Sequence, residues 1–236
     1  MLENTRFVRQ IGAYGGWRWK PFANINLAGA DLGGLGLACL RPGVGCADFL
    51  KADLHEANRD RTSLSGANFE AADLDKATLE MANLSGANLL DANLNSVSGE
   101  KARFDDAIFM GTSLVQARLD DAYFIDASLG GANADGAVLH SADFSNARLG
   151  RSHFKPADLS DSPFAVPEII HVDLTSADLR DVDFTGAKMI DVDLTLADLR
   201  GADFTRTHLR RAVLTDVCFD HATKWGSNSP PTSSSC

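Results

Sequence analysis

The sequence predicts an all-β fold: a right-handed quadrilateral β-helix (a β-solenoid) of tandem five-residue repeats, with about 20 residues per coil. Three observations predict it. Asp173–Val192 (DLTSADLRDVDFTGAKMIDV) and Asp193–Ala212 (DLTLADLRGADFTRTHLRRA) are one unit written twice, with 10 of 20 positions identical. Inside each copy a shorter period runs. Leu174, Leu179, Phe184, Met189, Leu194, Leu199, Phe204 and Leu209 fall every five residues, each with Val, Ala or Thr two places earlier. Sorting by twenty then gathers Phe104, Phe124, Phe144, Phe164, Phe184 and Phe204 into one column. An amphipathic helix repeats at 3.6 and a strand at 2, so neither explains the pattern. A fixed repeat of this kind belongs to a solenoid, whose neighbouring units bury what one unit cannot.

The two periods have one geometric meaning. A large residue pointing inward every fifth position, with a small one two places before it, describes a coil with four short sides. Residue n then lies beneath n+20, and coils stack roughly 4.8 Å apart at strand spacing.

Residues 1–21 do not repeat, and Phe7, Tyr14, Trp17 and Trp19 supply the apolar surface to cap the first coil. Such a cover is needed because a solenoid end is an unpaired edge. The rhythm begins at Phe22 and runs to about residue 222. It slips once, near 38–48, where CLRPGVGC adds two residues and turn formers, predicting a small protruding loop. From Phe49 to Phe219 it never breaks. Three inward positions are irregular. Arg59 is charged and is expected to snorkel outward. Gly99 is expected at a bulge or thinly packed turn. Ala134 is small between Leu114 and Phe154. Trp225 reads as a lid, and the Ser/Pro-rich remainder of 223–236 as a disordered tail.

Net charge is −10, and residues 66–170 carry 16 acids against 7 bases. Direct nucleic-acid binding is therefore not expected, because phosphate attraction needs a positive face. No apolar run approaches membrane-spanning length. The N-terminal residues lack a signal-peptide core, so the cytoplasm is the expectation. Cys39, Cys46, Cys218 and Cys236 form no CxxC; free thiols are expected, with Cys39 and Cys46 placed to pair under oxidation. The six His all stand at outward positions. No nucleophile has a His and an acid at motif spacing, so neither enzyme chemistry nor a cofactor or metal site is expected.

Two surface features remain as candidate sites. Outward carboxylates stack into columns: Asp158–Asp178–Asp198, Asp173–Asp193 and Asp183–Asp203. An outward apolar column contains Leu90, Met110, Ile170 and Ile190, with Gly130 and Gly150 between them and Ile125 nearby. Aligned apolar side chains on a surface mark a contact face.

The motifs ADLDK (72–76), ANLSG (82–86), ANLLD (87–91), ADLRD (177–181) and ADFTR (202–206) resemble the A(D/N)LXX consensus of pentapeptide repeat proteins. The resemblance spans about residues 22–222 and implies the quadrilateral β-helix. It also implies two functional expectations. Many members look like interaction scaffolds, so the partner would be another protein, or the chain itself as a homodimer through the apolar column. Others resemble duplex DNA and bind DNA gyrase or topoisomerase IV, protecting bacteria from topoisomerase poisons, and acidic columns would suit that alternative.

Overall fold

A computed structural model describes residues 20–21, 23–33, 36, 46–154, 157–160, 162, 168–232 and 236. Their backbone makes a four-sided, right-handed β-solenoid with no helix among them. The longer ladder segments are β1 (Lys20–Pro21), β2 (Ala47–Asp48), β3 (Glu168–Ile170), β4 (Lys188–Ile190) and β5 (His208–Arg210). All pair in parallel, β1 with β2 and β3 with β4 with β5. Elsewhere each side of the coil is so short that it registers as a single parallel bridge, such as Asp53↔Asp73 and Asn93↔Ser113. Partners on successive coils stand twenty positions apart, as Asp48 and Asn68 do.

Each side is built the same way. Leu54 N–H donates to Asp73 C=O at 2.7 Å, and Asp73 N–H returns a bond to Ala52 C=O at 2.9 Å. The corner closes where Ala57 N–H reaches Leu54 C=O at 3.0 Å. That corner needs a left-handed residue. Every fifth residue from Lys51 to Arg151, and from His171 to Asp216, has φ between 51° and 74°. Most are not glycine, and each non-glycine costs about 1 kcal/mol or more in that region. The stacked ladder on both sides over-determines the conformation, so the corners hold.

The axis is filled as the five-residue spacing predicts. Among the described residues from Ala47 to Phe204, Leu and Phe at the large position and Ala at the small one are buried. Where Thr or Ser replaces Ala, its hydroxyl donates to a corner carbonyl. Thr112 reaches Leu89 C=O at 2.6 Å, Thr207 reaches Phe184 C=O at 2.7 Å, and Ser162 reaches Leu139 C=O at 2.9 Å. A buried hydroxyl is tolerated only with such a partner. The described members of the Phe column stack as expected, with Phe124 and Phe144 centroids 4.7 Å apart and 2° from parallel, while Phe164 lies outside the described residues. Trp225 continues it, lying 5.1 Å from Phe204 at 7°.

Several expectations are corrected. Arg59 does not snorkel out; it is fully buried. Its guanidinium lies 5.3 Å from the ring centres of both Phe49 and Phe69, so two π faces stand where water would. Gly99 makes no bulge, for Thr78↔Ser98↔Arg118 keeps the regular step between coils. A Cβ there would come within 2.8 Å of Leu119 Cδ2, so a neighbouring Leu already fills the dent. In the first coil the bridged pair Asn26↔Asp53 is 27 positions apart, so its surplus is seven residues, not two. Counting in fives cannot distinguish a surplus of two from one of seven. The loop residues 37–45 and the aromatic segment 1–19 lie outside the described residues.

The thiols and the tail also differ from expectation. Cys218 and Cys236 are joined in a disulfide, and Cys46 is disulfide-bonded as well. Cys39, its suggested partner, lies outside the described residues. Residues 223–232, part of the stretch expected to be disordered, instead fold over the last coil. Lys224 pairs with Asp203, and the Asn228 amide donates to Thr207 C=O at 3.1 Å. A covalent tie and a stacked indole supply what the polar composition could not.

Candidate interaction faces

The acidic columns form as the stacking predicts, with Asp158↔Asp178↔Asp198, Asp173↔Asp193 and Asp183↔Asp203 bridged in register. Each of these seven carboxylates accepts the backbone N–H two residues ahead, an Asx turn that fixes the corner. Arginines interleave with one column. Arg180 grips Asp178 at 2.6 Å and Arg200 grips Asp198 at 2.6 Å. Burial raises the Asp198 carboxyl, but the hydrogen bonds and charge of Arg200, helped by Arg180, bring it below its usual range. Asp203 behaves alike, its burial outweighed by Lys224 at 2.8 Å and by Thr205. The turn role of these acids was readable in the sequence: an Asp or Asn stands just before the inward residue in repeat after repeat.

The apolar column divides on exposure. Leu90, Ile170 and Ile190 are half-buried, as is Ile125, whereas Met110 is 48% exposed. Ile108 and Tyr123, which stand outside this column, are 41% and 40% exposed. The ladder carries Ile108 between Asn88 and Ser128, and Tyr123 between Arg103 and Asp143. These are adjacent walls that meet at the corner of Asp105–Asp106 and Ile125–Asp126, and Met110 stands at the next corner, across the Ile108 wall. Sorting by twenty separates them into different columns, which hid the cluster.

The outward histidines make local contacts on the walls. His171 Nδ1 lies 3.5 Å from Asp191, and His140 Nδ1 is hydrogen-bonded to Ser160 Oγ at 2.9 Å. His153 stacks beside Asp173. Among the described residues no group of three or more His, Cys, Asp or Glu is placed to hold a metal ion. No helix among them is long and apolar enough to cross a membrane.

Comparison with known proteins agrees with the repeat. The pattern described as "Pentapeptide repeats (8 copies)" matches residues 45–70, 52–89, 62–98, 81–116 and 117–155, and "Pentapeptide repeat region" matches 137–214. No curated protein matches the chain. Among solved structures, the chain is similar to HetL of the cyanobacterium Nostoc, a pentapeptide repeat protein involved in heterocyst differentiation regulation. Identity is 26%, over 89% of this chain and 92% of that one, with a TM-score of 0.33. It is also similar to QnrB1, a plasmid-mediated fluoroquinolone resistance protein, at 17% identity over 87% and 94% of the chains, with a TM-score of 0.41. A third is a pentapeptide repeat protein of the Arabidopsis thaliana thylakoid lumen, 26% identical over 53% and 69%, with a TM-score of 0.23. The matched patterns together run from residue 45 to 214 in the described repeat, and the chain belongs to the pentapeptide repeat family.

Proposed function

We propose that this chain is a non-enzymatic protein-interaction scaffold, a rigid β-solenoid that presents two adjoining walls to a partner. The observation that carries the reading is the exposure of Ile108, Met110 and Tyr123 on two adjoining walls, where the ladder stacks Ile108 between Asn88 and Ser128 and Tyr123 between Arg103 and Asp143. The backbone groups of those walls are spent on their own ladder, so recognition falls to side chains. The reading is tested by recovering complexes from native lysate with the wild type and with Ile108→Ser/Met110→Ser. A partner lost from the variant supports it. A partner held equally by both removes the Ile108 wall from the function.

DNA gyrase as the partner, by mimicry of duplex DNA, fits less well. The seven column carboxylates are bound to their own turns, and Arg180, Arg200 and Lys224 neutralise three of them. A supercoiling assay decides it: mimicry requires inhibition or relief of poison-induced cleavage by excess protein. The disulfides bear on compartment. Bonds at Cys218–Cys236 and Cys46 favour an oxidising setting over the cytoplasm, whose thiols are kept reduced.

A further inference from the structure

We infer that the Ile108 wall, bounded by Tyr123 and Ile125 on one side and Met110 on the other, docks a segment that is both apolar and cationic: a basic amphipathic stretch of another protein. This rests on the scaffold reading and names the chemistry of its partner.

The apolar part is set in place before anything binds. Arg103 holds its guanidinium 5.5 Å from the Tyr123 ring centre and fixes itself to Asp105 Oδ2 through Nη2 at 2.7 Å and Nε at 3.0 Å. Ile108 stands on the adjoining wall and Met110 at that wall's far corner, flanking buried Phe109. Beyond Met110 the column drops to Gly130 and Gly150. A Cβ built at Gly130 meets nothing nearer than Gly150 C=O at 3.6 Å and Met110 Cγ at 3.9 Å. The wall therefore steps down beside the Met110 side chain, leaving room for an incoming side chain against backbone.

The charge around this apolar surface selects the occupant. Asp106 and Asp126 stand one above the other at the corner between the Tyr123 and Ile108 walls, and Asp91 stands at the far edge of the Ile108 wall, one residue past Leu90. All three are exposed, and none has an ion-pair partner among the described residues. Arg103 is already committed to Asp105. A partner lying on Ile108 and Met110 strips water from Asp106 and Asp126, which an anionic or neutral partner would leave uncompensated. Lys or Arg on its flanks pairs with them instead. A second copy docking corner to corner brings Asp106 and Asp126 against their own counterparts, so self-association is disfavoured here.

The test uses the full chain and three labelled synthetic peptides of about 18 residues, five helical turns. One is an amphipathic Leu/Lys sequence; in the others Glu or Ser replaces Lys. Binding is read by fluorescence anisotropy. The Leu/Lys peptide is expected to bind and the Leu/Glu peptide not to. Asp106→Asn/Asp126→Asn and Ile108→Ser/Met110→Ser should each weaken binding about tenfold or more. Glu56→Gln/Glu80→Gln, which removes the same charge on other walls, should change it less than about twofold. Equal weakening by the Glu56/Glu80 pair means diffuse attraction and overturns the site. Leu/Ser binding as tight as Leu/Lys, and lost in Ile108→Ser/Met110→Ser, overturns the cationic class while leaving the scaffold reading standing. No binding by any peptide overturns the inference, with the lysate experiment still deciding the scaffold reading separately. A dimer of the wild type dissolved by Ile108→Ser/Met110→Ser assigns the wall to a second copy and also overturns it. Melting curves verify that each variant folds, and Met110→Gln alone serves where a double variant does not.

Discussion

Arg59 is the residue most at odds with its surroundings. Its three guanidinium nitrogens have no hydrogen-bond partner among the described residues, and burial lowers its pKa to about 9. Between that value and its ordinary one the unfolded chain binds the extra proton, so stability rises with pH there; below pH about 9 the cost of the buried charge is complete. Arg59→Leu should therefore stabilise the fold by about 1–3 kcal/mol at pH 7, after the lost cation–π contacts are allowed for. Chemical denaturation across pH checks it, since the advantage over wild type should shrink above pH about 9. Phe144 shows the opposite case. It stacks on Phe124 and meets Phe154 edge-on at 6.2 Å. Phe144→Ala should cost about 3–5 kcal/mol, and Ser145→Ala, facing outward next to it, under about 0.5 kcal/mol. Similar melting temperatures for the two would contradict the assigned register. Gly201 is constrained by its corner. It has φ 74°, and the Asp181 carboxylate occupies the place of a Cβ, so Gly201→Ala should destabilise by about 1–3 kcal/mol in the same assay.

At the scale of the element, the C-terminal cap separates two kinds of information. Trp225 keeps the aromatic column going, but only because the final turn is one residue longer than the rest, with Asp203 and Lys224 standing 21 positions apart. Asp220 fixes that extra residue: its carboxylate accepts the amides of Gly201, Ala222 and Thr223, and these bonds outweigh burial and lower its pKa. The Cys218–Cys236 bond then returns the chain end to the last coil, closing a loop with a sequence separation of 18. In the loop-entropy account such a bond contributes about 3 kcal/mol. Cys236→Ser should lower the melting temperature and raise amide exchange in residues 223–232 while 60–150 stay protected. Uniform loss of protection along the rod would show that the cap is not a separate unit. The spacing of five was enough to draw the walls, because each wall repeats one hydrogen-bonded ladder. It was not enough for the cap, whose order depends on one cysteine meeting another in space.

On the whole-molecule scale, the rod is a stack in which each coil touches mainly the next, so a change on the wall need not reach the axis. That independence allows a clean test of self-association. Met110→Glu/Ile170→Glu alters two outward positions of the apolar column and should leave folding intact. If wild type forms a dimer through the column, the variant sediments as a monomer; identical sedimentation of the two removes the column as a dimer interface. The docking reading of the Ile108 wall expects a monomer in both.

The amino-acid sequence by itself determined the period, the coil and the inward residues, because a repeat states the same packing requirement at every turn. It placed the Asp columns and the Phe column in register without any coordinates. Only the tertiary structure decided what those residues do once stacked. It put Arg59 between two rings, spent the column carboxylates on their own corners, and brought Ile108 and Tyr123 together across adjacent walls. The reason is that periodicity fixes which face of a wall a side chain occupies. Which neighbours meet around a corner, and which charges find a counter-ion, depends on distances that a one-dimensional count does not contain.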